Sequence, residues 1–223
     1  LYTSTAENRI DLMSDFPGGQ FCSAMTEGDL NDDGIEDLIV GAPFASADGK
    51  QWNGAVRVIF AKNASEGAND YLEFYGENSG DQLGTALTVG DFNNDLVDDL
   101  AVSAYNAQEG GLRPGKVYIV WGGKNLPSRM TTQVDNQVGQ TAISISVRYS
   151  DYQIFGKDNS DQFGISLASL DANGNGIDDL LIGAPFASGP DFSQSGAVYL
   201  YFGSTDGLSL NPSYSLYAKS EDE

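Results

Sequence analysis

Short runs of alternating apolar and polar residues, broken by Gly- and Asp-rich turns, make up most of the chain. No 3.6-residue period persists over three turns. The clearest alternation is "GAVRVIF" from Gly54, "GKVYIVW" from Gly115 and "GAVYLYF" from Gly196. A period of two with β-branched and aromatic residues predicts strands. Upstream of each lies a continuous apolar run, "LIVGAP" from Leu38, "LAVSAY" from Leu100 and "LLIGAP" from Leu180, the pattern of a strand buried on both faces. Before each of these lies a matching segment, "GGQFCSAMTEGD", "GDQLGTALTVGD" and "SDQFGISLASLD". A fourth strand is expected at a constant offset before each Gln-apolar-small triplet, at Ile10 and Leu12, at Leu72 and Phe74, and at Tyr152 and Ile154.

Repetition on this scale is the mark of stacked supersecondary units. The units are placed at residues 16–76, 78–156 and 158–218 of one domain, 1–223. Residues 124–150 are an insertion, expected to be a long loop with one strand near "ISISV". Four-stranded antiparallel sheets with apolar residues on both faces must stack on neighbours to bury them, which predicts an all-β propeller. A β-sandwich would also bury them, but gives no reason for the turns to repeat. Three blades do not close a ring. An unpaired strand at Ile10–Leu12 and an end just short of a fourth Gln-Phe-Gly suggest a partial propeller, completed by further blades of a parent chain or another chain.

The turn between the first two strands of each unit is the chemical feature. Oxygen-bearing side chains fall at its positions 1, 3, 5 and 9: Asp29, Asn31, Asp33 and Asp37; Asp91, Asn93, Asp95 and Asp99; Asp171, Asn173, Asn175 and Asp179. Alternate residues of a tight loop can point at one centre, and the carbonyls of Ile35, Val97 and Ile177 at position 7 can join them. An all-oxygen shell of irregular geometry suits Ca²⁺, up to three ions in all. Gly34 and Gly176 permit the sharp turn at position 6, where the second loop has Leu96. The opening resembles an EF-hand loop, but position 12 is Val40, Val102 or Ile182 instead of the bidentate Glu, so these are loops within β-hairpins. The third loop, with two carboxylates, is expected to bind most weakly. An Asx-rich turn that caps a hairpin without metal remains the alternative. Asp32, Asp98 and Asp178 are read as charges that face solvent or support the donor residues from outside their set.

Charge narrows the partners. The chain of 223 residues carries 32 acids against 11 bases, a formal net charge of −21. That argues against nucleic acid and against anionic membrane surfaces, both of which need a basic footprint. Bound divalent ions would offset the self-repulsion. The single cysteine excludes an internal disulfide, and the absence of histidine removes the commonest general base. Paired aspartates could in principle serve a glycosidase, but the metal pattern uses them all. Cys22, where the other units have Gly, is expected to be a small buried thiol. Phe60, Trp121 and Phe202 are expected to pack within or between blades, and Asn63-Ala64-Ser65 is a glycosylation sequon.

Phe163-Gly164 and Gly183-Ala184-Pro185, bracketing an Asp/Asn-rich turn, resemble the FG-GAP repeat of integrin α-subunit propellers and of the propeller of GPI-specific phospholipase D. The second unit departs from the pattern, with Ser103-Ala104-Tyr105 for Gly-Ala-Pro. The resemblance implies calcium-binding blades of a propeller that usually has seven, in an extracellular or cell-surface adhesion protein that is not itself an enzyme. It also implies that the loops 44–54, 105–115 and 186–196, opposite the calcium turns, contact a protein or glycan ligand, with Trp52, Arg113 and Phe192 as candidates. The alternative it leaves open is the propeller of a larger secreted enzyme whose catalytic domain lies elsewhere.

Overall fold

A computed structural model describes residues 4–5, 9–10, 18–61, 71–126, 142–190 and 193–218. Within them lie three four-stranded antiparallel meanders, as expected of propeller blades. Blade 1 runs β3 (Ala24–Gly28), β4 (Asp37–Ala42), β5 (Ala55–Ile59) and β6 (Tyr71–Tyr75), following a small pair of strands, β1 (Ser4–Thr5) and β2 (Arg9–Ile10). Blade 2 runs β7 (Leu87–Gly90), β8 (Asp99–Ala104), β9 (Lys116–Val120) and, after β10 (Ala142–Ser146), β11 (Tyr152–Phe155). Blade 3 runs β12 (Ser166–Leu170), β13 (Asp179–Ala184), β14 (Ala197–Tyr201) and β15 (Tyr214–Tyr217).

One expectation needs correction. The strand at Ile10 is not unpaired: Ile10 pairs with Ser4 in the β1–β2 ladder, and Leu12 lies outside the described residues. The insertion holds the strand expected near "ISISV", and its partner is the new finding. Its strand β10 crosses back to blade 1 and runs parallel to β6, with Ala142 beside Tyr71 and Ser146 beside Tyr75, making a fifth strand there. Local pattern shows that a strand exists but not which edge it joins, because the pairing is decided by tertiary packing.

The cores lie between blades. One cluster joins Ile39, Val56, Val58, Leu72 and Phe74 of blade 1 to Leu100, Val102, Tyr118 and Val120 of blade 2. A second joins Ala101, Val117, Ile119 and Ile154 of blade 2 to Leu180, Ile182, Tyr199 and Tyr201 of blade 3. Each strand thus sends alternate residues to opposite neighbours, which is why the middle strands read as unbroken apolar runs. Full burial of one such side chain contributes about 1.5–3 kcal/mol. Phe60 and Trp121 pack in these clusters, and Phe202 stacks edge-on against Tyr214.

The Gln-apolar-small triplet is the joint between blades. Gln20, Gln82 and Gln162 all have positive φ, and so do Cys22, Gly84 and Gly164 two residues on. A side chain on Gly84 would collide with Ala55 and Val56 of the preceding blade. No described sheet covers that side of blade 1, and Cys22 is exposed there. The expectation of a buried thiol therefore fails.

Candidate metal centre

Each acidic loop joins the first two strands of its blade, at one end of the sheet: 29–36 between β3 and β4, 91–98 between β7 and β8, and 171–178 between β12 and β13. The three share one hydrogen-bond plan. In the first, Asp29 accepts the N–H groups of Asp33 (3.0 Å) and Gly34 (2.7 Å), Asn31 accepts that of Asp33, and Asp33 accepts that of Ile35. In the second, Asp91 accepts from Asp95 and Leu96, Asn93 from Asp95, and Asp95 from Val97. In the third, Asp171 accepts from Asn175 and Gly176, Asn173 from Asn175, and Asn175 from Ile177. These nested Asx turns wind the loop, and position 6 takes positive φ each time: 83° at Gly34, 68° at Leu96 and 82° at Gly176. Leu96 holds the glycine conformation with its side chain in solvent.

The aspartate at position 9 sits deeper. Asp37, Asp99 and Asp179 are fully buried. Asp37 accepts the N–H groups of Leu30 and Ala61, Asp99 those of Phe92 and Gly122, and Asp179 those of Ala172 and Gly203. Burial pushes Asp37 and Asp99 up to about 7 despite these donors, with the loop's other aspartates adding to the rise. Asp171 moves the other way: its carboxyl is held below the ordinary range, chiefly by the Gly176 N–H.

Of the fifteen predicted positions, twelve therefore lie on three equivalent loops, and Asp37, Asp99 and Asp179 open the strands that follow them. Among the described residues, no three acids stand together as metal ligands would; backbone N–H donors close each loop. The donor set nevertheless fits a hard cation. It contains only carboxylate, amide and carbonyl oxygen, and in the first two loops each side-chain oxygen keeps a lone pair beyond the hydrogen bond it accepts, whereas Asp171 Oδ1 in the third already accepts from both Gly174 and Asn175. Burial raises the position-9 carboxyls of the first two loops, a desolvation that a nearby cation would offset. The third loop differs. Asn173 donates its side-chain N–H to both oxygens of Asp179 (3.3 Å each), so the amide fills part of the role a cation would have.

Asp98 and Asp178 are half-buried, and each supports a neighbouring loop from outside its set of donor oxygens. Asp98 accepts the N–H of Asp29 across the junction of blades 1 and 2 (2.9 Å), and Asp178 accepts that of Asp91 across the next (3.0 Å). A recurring acid at position 8 (Glu36, Asp98, Asp178) was the signal available in the sequence. Asp32 pairs with Lys124 at the surface. Sequence reading also missed a buried ion pair, Arg57–Glu73 at 2.7 Å, on directly opposed residues of β5 and β6.

At the far end, the loops 44–54 and 105–115 are partly committed to holding the next blade. The carbonyls of Gln51, Trp52 and Asn53 accept N–H groups of Gly80, Gln82 and Leu83, and those of Arg113 and Pro114 accept from Ser160 and Phe163. The Trp52 side chain is exposed. Phe192 and the Asn63 sequon lie outside the described residues.

Three stretches, 24–59, 83–120 and 163–201, match the FG-GAP repeat. A phosphatidylinositol-glycan-specific phospholipase D of Bos taurus is 34% identical over 200 residues, 85% of this chain and 22% of that protein. Integrin alpha-4 of Xenopus laevis is 33% identical over 174 residues, 75% of this chain and 14% of that protein. A phosphatidylinositol-glycan-specific phospholipase D of Dictyostelium discoideum is 28% identical over 200 residues, 82% of this chain and 20% of that protein. The chain thus spans about a fifth or less of the length of these relatives.

Proposed function

Because the chain belongs to the FG-GAP repeat family, we propose that it is a calcium-stabilised, non-catalytic recognition module of an extracellular or cell-surface protein. The observation that carries the reading is the threefold recurrence of one oxygen-donor loop on one hydrogen-bond plan. Asp29, Asn31, Asp33 and Asp37, their counterparts in the other two loops, and the carbonyls of Ile35, Val97 and Ile177 would hold the ions. A bound ion would supply positive charge to carboxylates that otherwise repel one another, and so fix the first hairpin of each blade. Affinity would fall from the first two loops to the third, whose Asp179 already has an amide partner.

Blades beyond the three described here would extend the stack and close the ring. A protein or glycan ligand would bind through the loops 44–54, 105–115 and 186–196. The second reading, the propeller of a larger phospholipase D-like enzyme with its catalytic domain elsewhere, is favoured by the 34% identity to the bovine enzyme across 85% of this chain.

Terbium luminescence tests the metal reading. Trp121 lines the same depression as Asn93 and Asp95, which places a sensitiser beside the second loop. Titration of the calcium-stripped chain with Tb³⁺ should give sensitised emission that Ca²⁺ displaces and Asp95→Ala abolishes. Emission that Ca²⁺ leaves unchanged would rule the loop out as a calcium site.

A further inference from the structure

The outer rim of the molecule treats its two blade junctions differently. At the first, β10 runs parallel along the edge of β6, and the turn after it buries Val147 beside Leu126 in the interface. At the second, the equivalent edge belongs to β11, where Tyr152 and Ile154 stand in place of Leu72 and Phe74. Among the described residues, β11 pairs with β9 alone. A groove of about 530 Å³ follows its other edge. All four residues of β11 line that groove, although their side chains must alternate between two faces. What the groove presents is therefore the backbone edge of the strand. The tyrosines Tyr199, Tyr201 and Tyr217 form its floor, and Pro212 and Ser215 of blade 3 line it as well.

We propose that this groove is a strand-addition site, in which an extended segment of a partner protein joins β11 in parallel, as β10 joins β6 one blade away. Backbone hydrogen bonds to β11 would supply affinity, and alternate side chains of the incoming strand would rest on the tyrosine floor. The fitting partner is an extended peptide with an apolar residue at every second position and little charge, because among the described residues Lys157 is the one charged residue lining the groove. The chain's own 142–147 segment, "AISISV", has that character and shows that a blade edge of this protein accepts such a strand. An unpaired edge also carries an aggregation risk that a partner would remove.

A synthetic peptide with the sequence of residues 141–148 serves as the probe, titrated into the full isotope-labelled calcium-loaded chain. Saturable amide shifts are expected at 152–155 and around 199–217. N-methylation of alternate peptide amides should weaken binding at least tenfold in one phase and leave it unchanged in the other. Ser215→Trp, an exposed change that fills the groove without entering the core, should also abolish it. Four results would overturn the proposal: no shift at millimolar peptide, shifts at 71–75 from displacement of β10, indifference to N-methylation in both phases, or a neutral oligosaccharide occupying the groove where the peptide does not.

Discussion

The two blade junctions share an inner construction and part ways at the rim. Between blades 1 and 2, Leu126 and Val147 both join the buried cluster, and Tyr118 donates a hydrogen bond from its buried hydroxyl to Glu77. Lys116 is enclosed beside it, 3.5 Å from Glu77 and 3.0 Å from Glu109, with its ammonium over the Phe155 ring. Between blades 2 and 3, Leu208 fills the place of Leu126, nothing described takes that of Val147, and a tyrosine-lined groove remains. Burial pushes the Tyr201 hydroxyl up to about 12, and it raises Tyr199 too, so both stay protonated, neutral donors at the groove floor. The repeat dictates the three inner strands and the acidic loop, whereas non-repeating segments decide whether the rim is sealed.

The largest test of that difference is a matched pair of core truncations. Leu126→Ala should cost about 3 kcal/mol in urea unfolding, because the sealed junction leaves a cavity that cannot collapse. Leu208→Ala should cost roughly half as much, since the neighbouring groove admits water and relaxation. Equal losses would mean that the two rims are packed alike.

Next in size is a pH effect. Asp81, fully buried at the first junction, is pushed up to about 6 by burial, with the Asn78 donors and Lys116 opposing and Glu77 raising it further; its Oδ1 has no partner among the described residues. The folded state therefore holds this proton more tightly than the unfolded chain, whose carboxyl titrates near 3.8. Stability contributed by this group is full below about pH 4, falls as pH rises to 6 and is lost above it. Asp81→Asn should flatten that slope and raise stability at pH 7 by roughly 2 kcal/mol. The counterpart at the second junction, Asp161, is raised by burial as well, and Asp161→Asn should act in the same direction. Thermal melts between pH 4 and 7 check both.

Smaller again are the position-8 clasps. Asp98→Ala and Asp178→Ala should each cost about 1–2 kcal/mol, because each strands a backbone N–H of the neighbouring loop. Similar values are expected, as the clasp is the part the two junctions share. Smallest is Leu96→Gly, which should stabilise the second loop by up to about 1 kcal/mol by removing left-handed strain at an exposed residue. Destabilisation would show that the Leu96 side chain has a packing role.

Much of this was legible in the chain. The alternation from Gly54, Gly115 and Gly196 marks β5, β9 and β14, and the spacing of Asp29, Asn31, Asp33 and Asp37 marks the loop, because strand period and turn chemistry are local properties. The parallel docking of β10 on β6 was not legible, since nothing in "ISISV" selects an edge. Nor was the exposure of Cys22, which depends on what covers blade 1. The role of Asp98 and Asp178 was only half legible: an acid recurs at position 8, but among so many acids only the three-dimensional approach of the neighbouring blade distinguishes a clasp from a solvated charge.

The measurement that tests the central claim most directly is the thermal unfolding of the calcium-stripped chain with and without Ca²⁺. At calcium a hundredfold above the dissociation constant, one site adds about 2.7 kcal/mol, enough to raise the Tm by at least about 5 °C in a chain of this length. A rise of that size, reduced by Asp33→Ala and Asp95→Ala and less affected by Asn175→Ala, is the expected result. A melting curve that stays put from chelator to millimolar calcium would contradict it.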